Sequence, residues 1–171
     1  MEHLIAAVRK GIAERNWYAS LALALALPDI CGFLETPLGG SQARYISWCN
    51  RFLVPTYTSR VGASGIEHIF LHGEDCYALR CAFLHEGADE ILRQRVRKAL
   101  ESFVFIDPPP GGRSVHCNQS NAKLQLQVDK FCEDVCGGVE AWCGAVTGDV
   151  EVESRMKELL VIHDLHTGLT F

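Results

Sequence analysis

Residues 21–27 read Leu-Ala-Leu-Ala-Leu-Ala-Leu, and no other segment limits the fold as sharply. Strict alternation of two side chains suits a strand, but leucine and alanine are strong helix formers and neither is β-branched, so propensity predicts a helix. A helix that is apolar on every side needs other elements around it. The apolar stretch from Tyr18 to Pro28, broken only by Ser20, is about half the ~20 residues that a membrane span needs. It is read as the buried centre of a helical body, and no membrane partner is expected.

The flanking segments supply neighbours for that centre. Leu4, Ile5, Val8 and Ile12 mark the inner face of an opening helix within Glu2 to Asn16. Pro28 either kinks the central helix or, with Asp29, opens a new one. After the break at Gly39-Gly40, Ser41 is expected to cap a third helix that runs until Pro55. A loop is predicted from Thr56 to Ser64, a short helix from Ile66 to His72, and a long helix from Asp89 to Phe103 with Leu92, Val96, Ala99 and Leu100 turned inward. Val104 to Ile106 and Ser114 to Cys117 surround a Pro- and Gly-rich loop, which predicts a small β-hairpin at roughly 104–117. C-terminal helices are predicted over roughly 124–165: Leu124, Val128, Phe131, Val135, Val139 and Trp142 step by three or four, and Val150 to Leu165 adds the last helix. Gly137-Gly138 weakens the first of these unless another backbone packs close. The fold class expected is mainly α, a single antiparallel helical bundle domain over 1–171 with a small hairpin insertion.

A formal charge of −5 disfavours general coating of nucleic acid, so any such contact needs a local basic patch. The first ten residues carry no basic run ahead of their apolar positions. A cytoplasmic location is therefore expected, with the eight cysteines as free thiols and no bound metal or other cofactor. Phosphate-loop, dinucleotide and nucleophile-elbow motifs are absent, which removes kinase, NTPase and serine hydrolase readings.

One segment carries chemistry. Between Gly73 and Gly87, Glu74 and Asp75 suit a helix start and Gly87 a helix stop. Between them runs Cys76-Tyr-Ala-Leu-Arg80-Cys-Ala-Phe-Leu-His85-Glu86. From Cys76 to Leu84 every residue but Arg80 is apolar or weakly polar. Such a helix is either central or shared with a second subunit. Arg80 keeps its proton and must be paired or line a polar cleft. His85 lies five positions on, roughly 140° around an ideal α-helix. Arginine and histidine suit cleavage of a phosphodiester: imidazole moves the proton of a 2′-hydroxyl while guanidinium neutralises charge growing on phosphorus.

Arg80-Cys-Ala-Phe-Leu-His85 resembles the hallmark Arg-x4-6-His motif of the HEPN superfamily, and the helical pattern from Ala19 to Phe103 resembles its antiparallel bundle. The resemblance implies a HEPN-like fold in which two subunits bring both motifs into one cleft. It implies a metal-independent endoribonuclease acting as a homodimer, with Arg80 and His85 as the catalytic pair. Members of this kind include toxin and phage-defence effectors with a cognate antitoxin or neutralising protein. Active members often carry Asn, Asp or His directly after the arginine, where this chain has Cys81. The alternative is a catalytically inactive HEPN-like module for binding nucleic acid or scaffolding.

Simpler roles stand beside these. Arg80 could serve a structural salt bridge with Asp29, the single acid between Arg15 and Glu35, and His85 could cap the last carbonyls of its helix. Arg93, Arg95, Arg97 and Lys98 form a basic cluster able to guide an RNA backbone. In a helix, Asp89, Arg93, Arg97 and Glu101 would equally make an exposed ion-paired stripe. His68/His72, Cys132/Cys136 and His163/His166 have helical or near-helical spacing for metal ligation, but no CxxC occurs, and buried cysteines serve as small hydrophobes.

Overall fold

The structure is a computed structural model that describes residues 1–162. Helices α1 (Glu2–Ala13), α2 (Trp17–Glu35) and α3 (Ser41–Phe52) open the chain, followed by a 3-10 turn over Val54–Tyr57. Strands β1 (Thr58–Val61) and β2 (Ile66–Ile69) come next, and then α4 (Gly73–Cys81), which passes directly into a π-helical turn over Ala82–Glu86. Strands β3 (Ser102–Ile106), β4 (Asn118–Ser120) and β5 (Lys123–Gln127) precede α5 (Val128–Ala145) and α6 (Val150–Lys157).

The Leu-Ala helix is the hub. Around α2 pack α1, α3, α5 and α6, and Leu21, Leu25, Leu27, Cys31 and Leu34 are almost fully buried. Pro28 does not end it. The helix continues through the proline, and the Tyr45 hydroxyl donates to the Leu25 carbonyl on the neighbouring turn at 3.2 Å. By length and composition α2 could cross a membrane, but half of that stretch is buried inside the protein. Val128, Phe131, Cys132, Val135, Cys136, Val139 and Trp142 make the buried face of α5. Gly138 is required there: a Cβ would sit 2.9 Å from the Trp48 ring and 3.0 Å from the Phe52 carbonyl, whereas at Gly137 it would meet open space. Two polar clamps tie the helices. Arg9 of α1 bridges Glu133 and Glu140 of α5, and Glu35 accepts from Trp142 Nε1 at 3.0 Å and from Arg51 at 2.6 Å.

The mainly α class holds, but several local expectations do not. The segment from Ile66 is strand β2, paired antiparallel with β1 inside what reads as a loop. Asp89 to Phe103 forms no helix. Its backbone is claimed from outside: the buried Asp75 carboxylate accepts the N–H groups of Lys98, Ala99 and Leu100, and residues 89–91 pair with 101–103 as an irregular extension of β3. Ile91 and Leu100 anchor it in the core while Leu92 is exposed, so the inward set differs from the helical period. The 104–117 hairpin is absent. β3 runs parallel to β5, and the tight hairpin joins β4 to β5 through Asn121-Ala122, with Asn121 left-handed at φ 53°. Leu124 consequently sits in a strand, and α5 starts at Val128. The last helix ends at Lys157: residues 158–162 are not helical, and only the rest of the predicted run to Leu165 lies outside the described residues.

Candidate functional site

Three helical segments meet at Arg80. It lies in the last turn of α4, faces α2, and places Nη2 2.7 Å from Asp29 Oδ2, with about a fifth of each side chain exposed. The contact is ionic rather than a well-aligned hydrogen bond, for Asp29 Oδ2 and Arg80 Nε are both buried without a hydrogen-bond partner. Ser41 does not cap α3 through its side chain. Its hydroxyl donates instead to Asp29 Oδ1 at 3.0 Å, and Gly40 occupies the capping position. Burial lowers the Arg80 pKa, but the Asp29 charge and the neighbouring Cys81 outweigh it and the net shift is upward.

His85 joins the group because the helix changes pitch. An α-helix would put positions 80 and 85 on different faces, whereas the wider π-turn over Ala82–Glu86 brings a side chain five residues on back over its predecessor. His85 Nε2 lies 3.2 Å from Arg80 Nη1. Guanidinium can only donate, so in this contact Nε2 accepts and carries no proton. Gly87, left-handed at φ 66°, closes the turn, with Gly87 N–H bonded to Phe83 and Ala88 N–H to Ala82. Asp29, Arg80 and His85 thus form one row running outward, with His85 exposed at its end. Around it, α4 buries Cys76, Ala78 and Leu79 but leaves Tyr77 and Cys81 half-buried, and Leu84 beyond them is exposed. The segment is therefore covered on one side only, not on all.

The basic cluster is dispersed along the irregular loop. Arg93 and Arg95 are exposed, Arg97 is spent on the Leu92 and Leu100 carbonyls, and Lys98 lies 3.8 Å from Glu74. The ion-paired helical stripe does not exist because the helix does not. The loop still lies beside the row, since Gln94 donates to Glu86, the residue after His85, at 3.1 Å.

The pairs with metal-ligand spacing do not converge. His68 is on a strand and bonds Gln119 at 2.7 Å, Cys132 and Cys136 are buried in the core, and His163 and His166 lie outside the described residues. Among the described residues no cluster of three metal-capable side chains occurs. All eight cysteines are free. Burial pushes the Cys132 thiol up to about 12 and that of Cys117 to about 11, which is the opposite of an activated thiol.

Sequence spacing gives no sign of a second polar cluster. Tyr57 donates to Asp134 Oδ2 at 2.8 Å, and His116 Nε2 lies 3.3 Å from the same oxygen, at the wall of a 370 Å³ cavity. His116 Nδ1 accepts the Gln127 N–H at 3.1 Å, so the neutral ring carries its proton on Nε2, toward Asp134. Both ring nitrogens are engaged internally, and the cluster reads as a brace between the 3-10 turn, β5 and α5.

Comparison with protein-family models, with curated proteins and with solved structures finds no match to this chain.

Proposed function

We propose that the protein is a metal-independent, HEPN-type endoribonuclease that works as a homodimer, with Arg80 and His85 as its catalytic residues. The observation that carries this reading is the 3.2 Å contact between the exposed His85 Nε2 and Arg80 Nη1, held by the π-turn. An incoming phosphodiester competes for the guanidinium and frees His85 Nε2. The imidazole then takes the 2′-hydroxyl proton as that oxygen attacks phosphorus. Arg80 offsets the charge growing on the phosphoryl oxygens, the imidazolium gives its proton to the departing 5′ oxygen, and a 2′,3′-cyclic phosphate remains with the histidine neutral again. The open side of α4 suits a second copy of the same helix, which would double the row across a two-fold axis. Arg93 and Arg95, exposed on the loop tied to Glu86, would meet the RNA backbone in this reading.

Purified protein incubated with mixed RNA in EDTA is expected to yield 2′,3′-cyclic phosphate and 5′-hydroxyl ends, and His85→Ala to abolish this while keeping fold and oligomeric state. Intact RNA with the wild type, or cleavage that survives His85→Ala, overturns the proposal. A second reading is favoured by the 2.7 Å Arg80 to Asp29 contact: a non-catalytic binding or scaffolding module in which the arginine is structural. It requires His85→Ala to be silent and Arg80→Ala to unfold the protein.

A further inference from the structure

We infer that the outer edge of β3 is a docking site for an extended peptide segment of a partner protein, apolar at its centre and cationic at the flank that meets Asp89 and Glu90.

The argument begins with backbone directions. In a parallel ladder alternate residues turn their N–H and C=O to the same side. Ser102 N–H points to the β5 side, toward the Ala122 carbonyl, whereas Phe103 N–H points away, to the Asp89 carbonyl, and Glu101 C=O accepts from Ile91 on that outer side. The Glu101 carbonyl and the polar groups of residues 103 and 105 therefore face outward, while the Glu101 N–H turns inward to the Ala122 carbonyl at 2.7 Å. The strand-like stretch 89–91 satisfies the first two and then turns away at Gly87-Ala88, where Gly87 is left-handed. Phe105 has no such cover: by the same alternation its N–H and C=O face outward, and among the described residues no strand lies on that side of β3.

A groove lies where that partner belongs. A 340 Å³ cavity reaches from Ala88 and Asp89 to Phe105, and a second of 110 Å³ continues from Phe105 to Asp107; Tyr18, Leu21 and Phe105 line both. Its floor is apolar, from Leu21, Leu79 and Phe83. Tyr18 stands over it at 80% exposure, an aromatic ring with nothing packed on it. Asp89 and Glu90 are exposed at one end, whereas Asp107 at the other is paired with Arg15 at 3.8 Å. Unpaired strand groups above an apolar floor call for a β-strand, and the carboxylates of Asp89 and Glu90 call for a cationic flank at that end. Pro108 to Pro110 end the edge and limit the docked strand to a few residues.

The test is a displayed library of decapeptides with six random central residues and two lysines at each end, selected on the whole protein. Selected peptides should slow amide exchange of Phe105 at least tenfold. N-methylation of one central peptide nitrogen should abolish binding. Tyr18→Ala and Asp89→Lys, both at exposed side chains and so neutral to folding, should each weaken Kd about tenfold or more. A library that yields no binder, or binders that leave Phe105 exchange unchanged, overturns the inference. Protection of Phe105 that grows with protein concentration in the absence of peptide would also overturn it, by making a second copy the occupant. The readouts involve no RNA, so they stand or fall apart from the nuclease reading.

Discussion

The buried Asp75 offers the sharpest quantitative test of how this fold is held. Its carboxylate receives N–H groups from Lys98 at 2.7 Å, Ala99 at 3.1 Å and Leu100 at 3.3 Å, and its side chain is inaccessible to solvent. Only the bond from Leu100 is fully buried. In Asp75→Ala that N–H loses its partner at a cost of about 1–3 kcal/mol, while the two part-buried donors recover water and cost about 0.5–1.5 kcal/mol each. The sum is about 4 kcal/mol, a large share of the roughly 5–15 kcal/mol that stabilises an ordinary domain. Asp75→Asn keeps one acceptor oxygen but turns an amide donor toward the remaining N–H groups, and about 2 kcal/mol is expected. Urea unfolding followed by far-UV circular dichroism measures both, and amide exchange at residues 98–100 reports whether the loop is released before global unfolding. An Asp75→Ala variant within about 1 kcal/mol of wild type, with those amides still protected, would refute the claim that this carboxylate organises the loop.

The adjacent glycines of α5 should respond in opposite directions: Gly138→Ala is expected to destabilise by about 1–3 kcal/mol through overpacking on Trp48 and Phe52. Gly137→Ala, in open space, should stabilise by up to about 1 kcal/mol; thermal melts of the pair decide it. Asp29→Ala leaves the half-buried Arg80 without its ion pair, and a loss of about 2 kcal/mol or more is expected by chemical denaturation, larger than for His85→Ala at its exposed position. The cysteines make stability fall at alkaline pH. Burial raises Cys132 from 9.0 to about 12 and Cys136 from 9.0 to about 11, so between those values the folded state binds more protons than the unfolded one. The thiol contribution should be constant below pH 9 and be lost as pH rises through 11 to 12, and Cys136→Ala should reduce the slope. An unchanged slope in that variant would show that other groups govern it.

How much of this was legible in the sequence depended on whether local pattern and tertiary demand agreed. They agreed in α1, α2, α3 and the body of α5, where apolar spacing and helix propensity point the same way and the core rewards the same face. They disagreed in Asp89 to Phe103, whose periodicity is helical but whose N–H groups are taken by Asp75, twenty-three to twenty-five residues earlier. The strand character of β5 was masked because Leu124 falls in register with the α5 stripe, and its pairing with β3 is parallel, which no local turn signal announces.

The candidate site divides in the same way. Composition and spacing alone determined that the chain builds a mainly helical body around the Leu-Ala helix, that Arg80 needs a polar partner within an apolar run, and that Asp29 is the single acid between Arg15 and Glu35. Whether Arg80 and His85 meet was decided by the tertiary structure, because an α-helical reading of five residues separates them and only the π-turn before Gly87 brings them to 3.2 Å. Helical periodicity records which side chains share a face at constant pitch. A single widened turn breaks that assumption, and nothing in Ala82-Phe-Leu-His-Glu86 announces it.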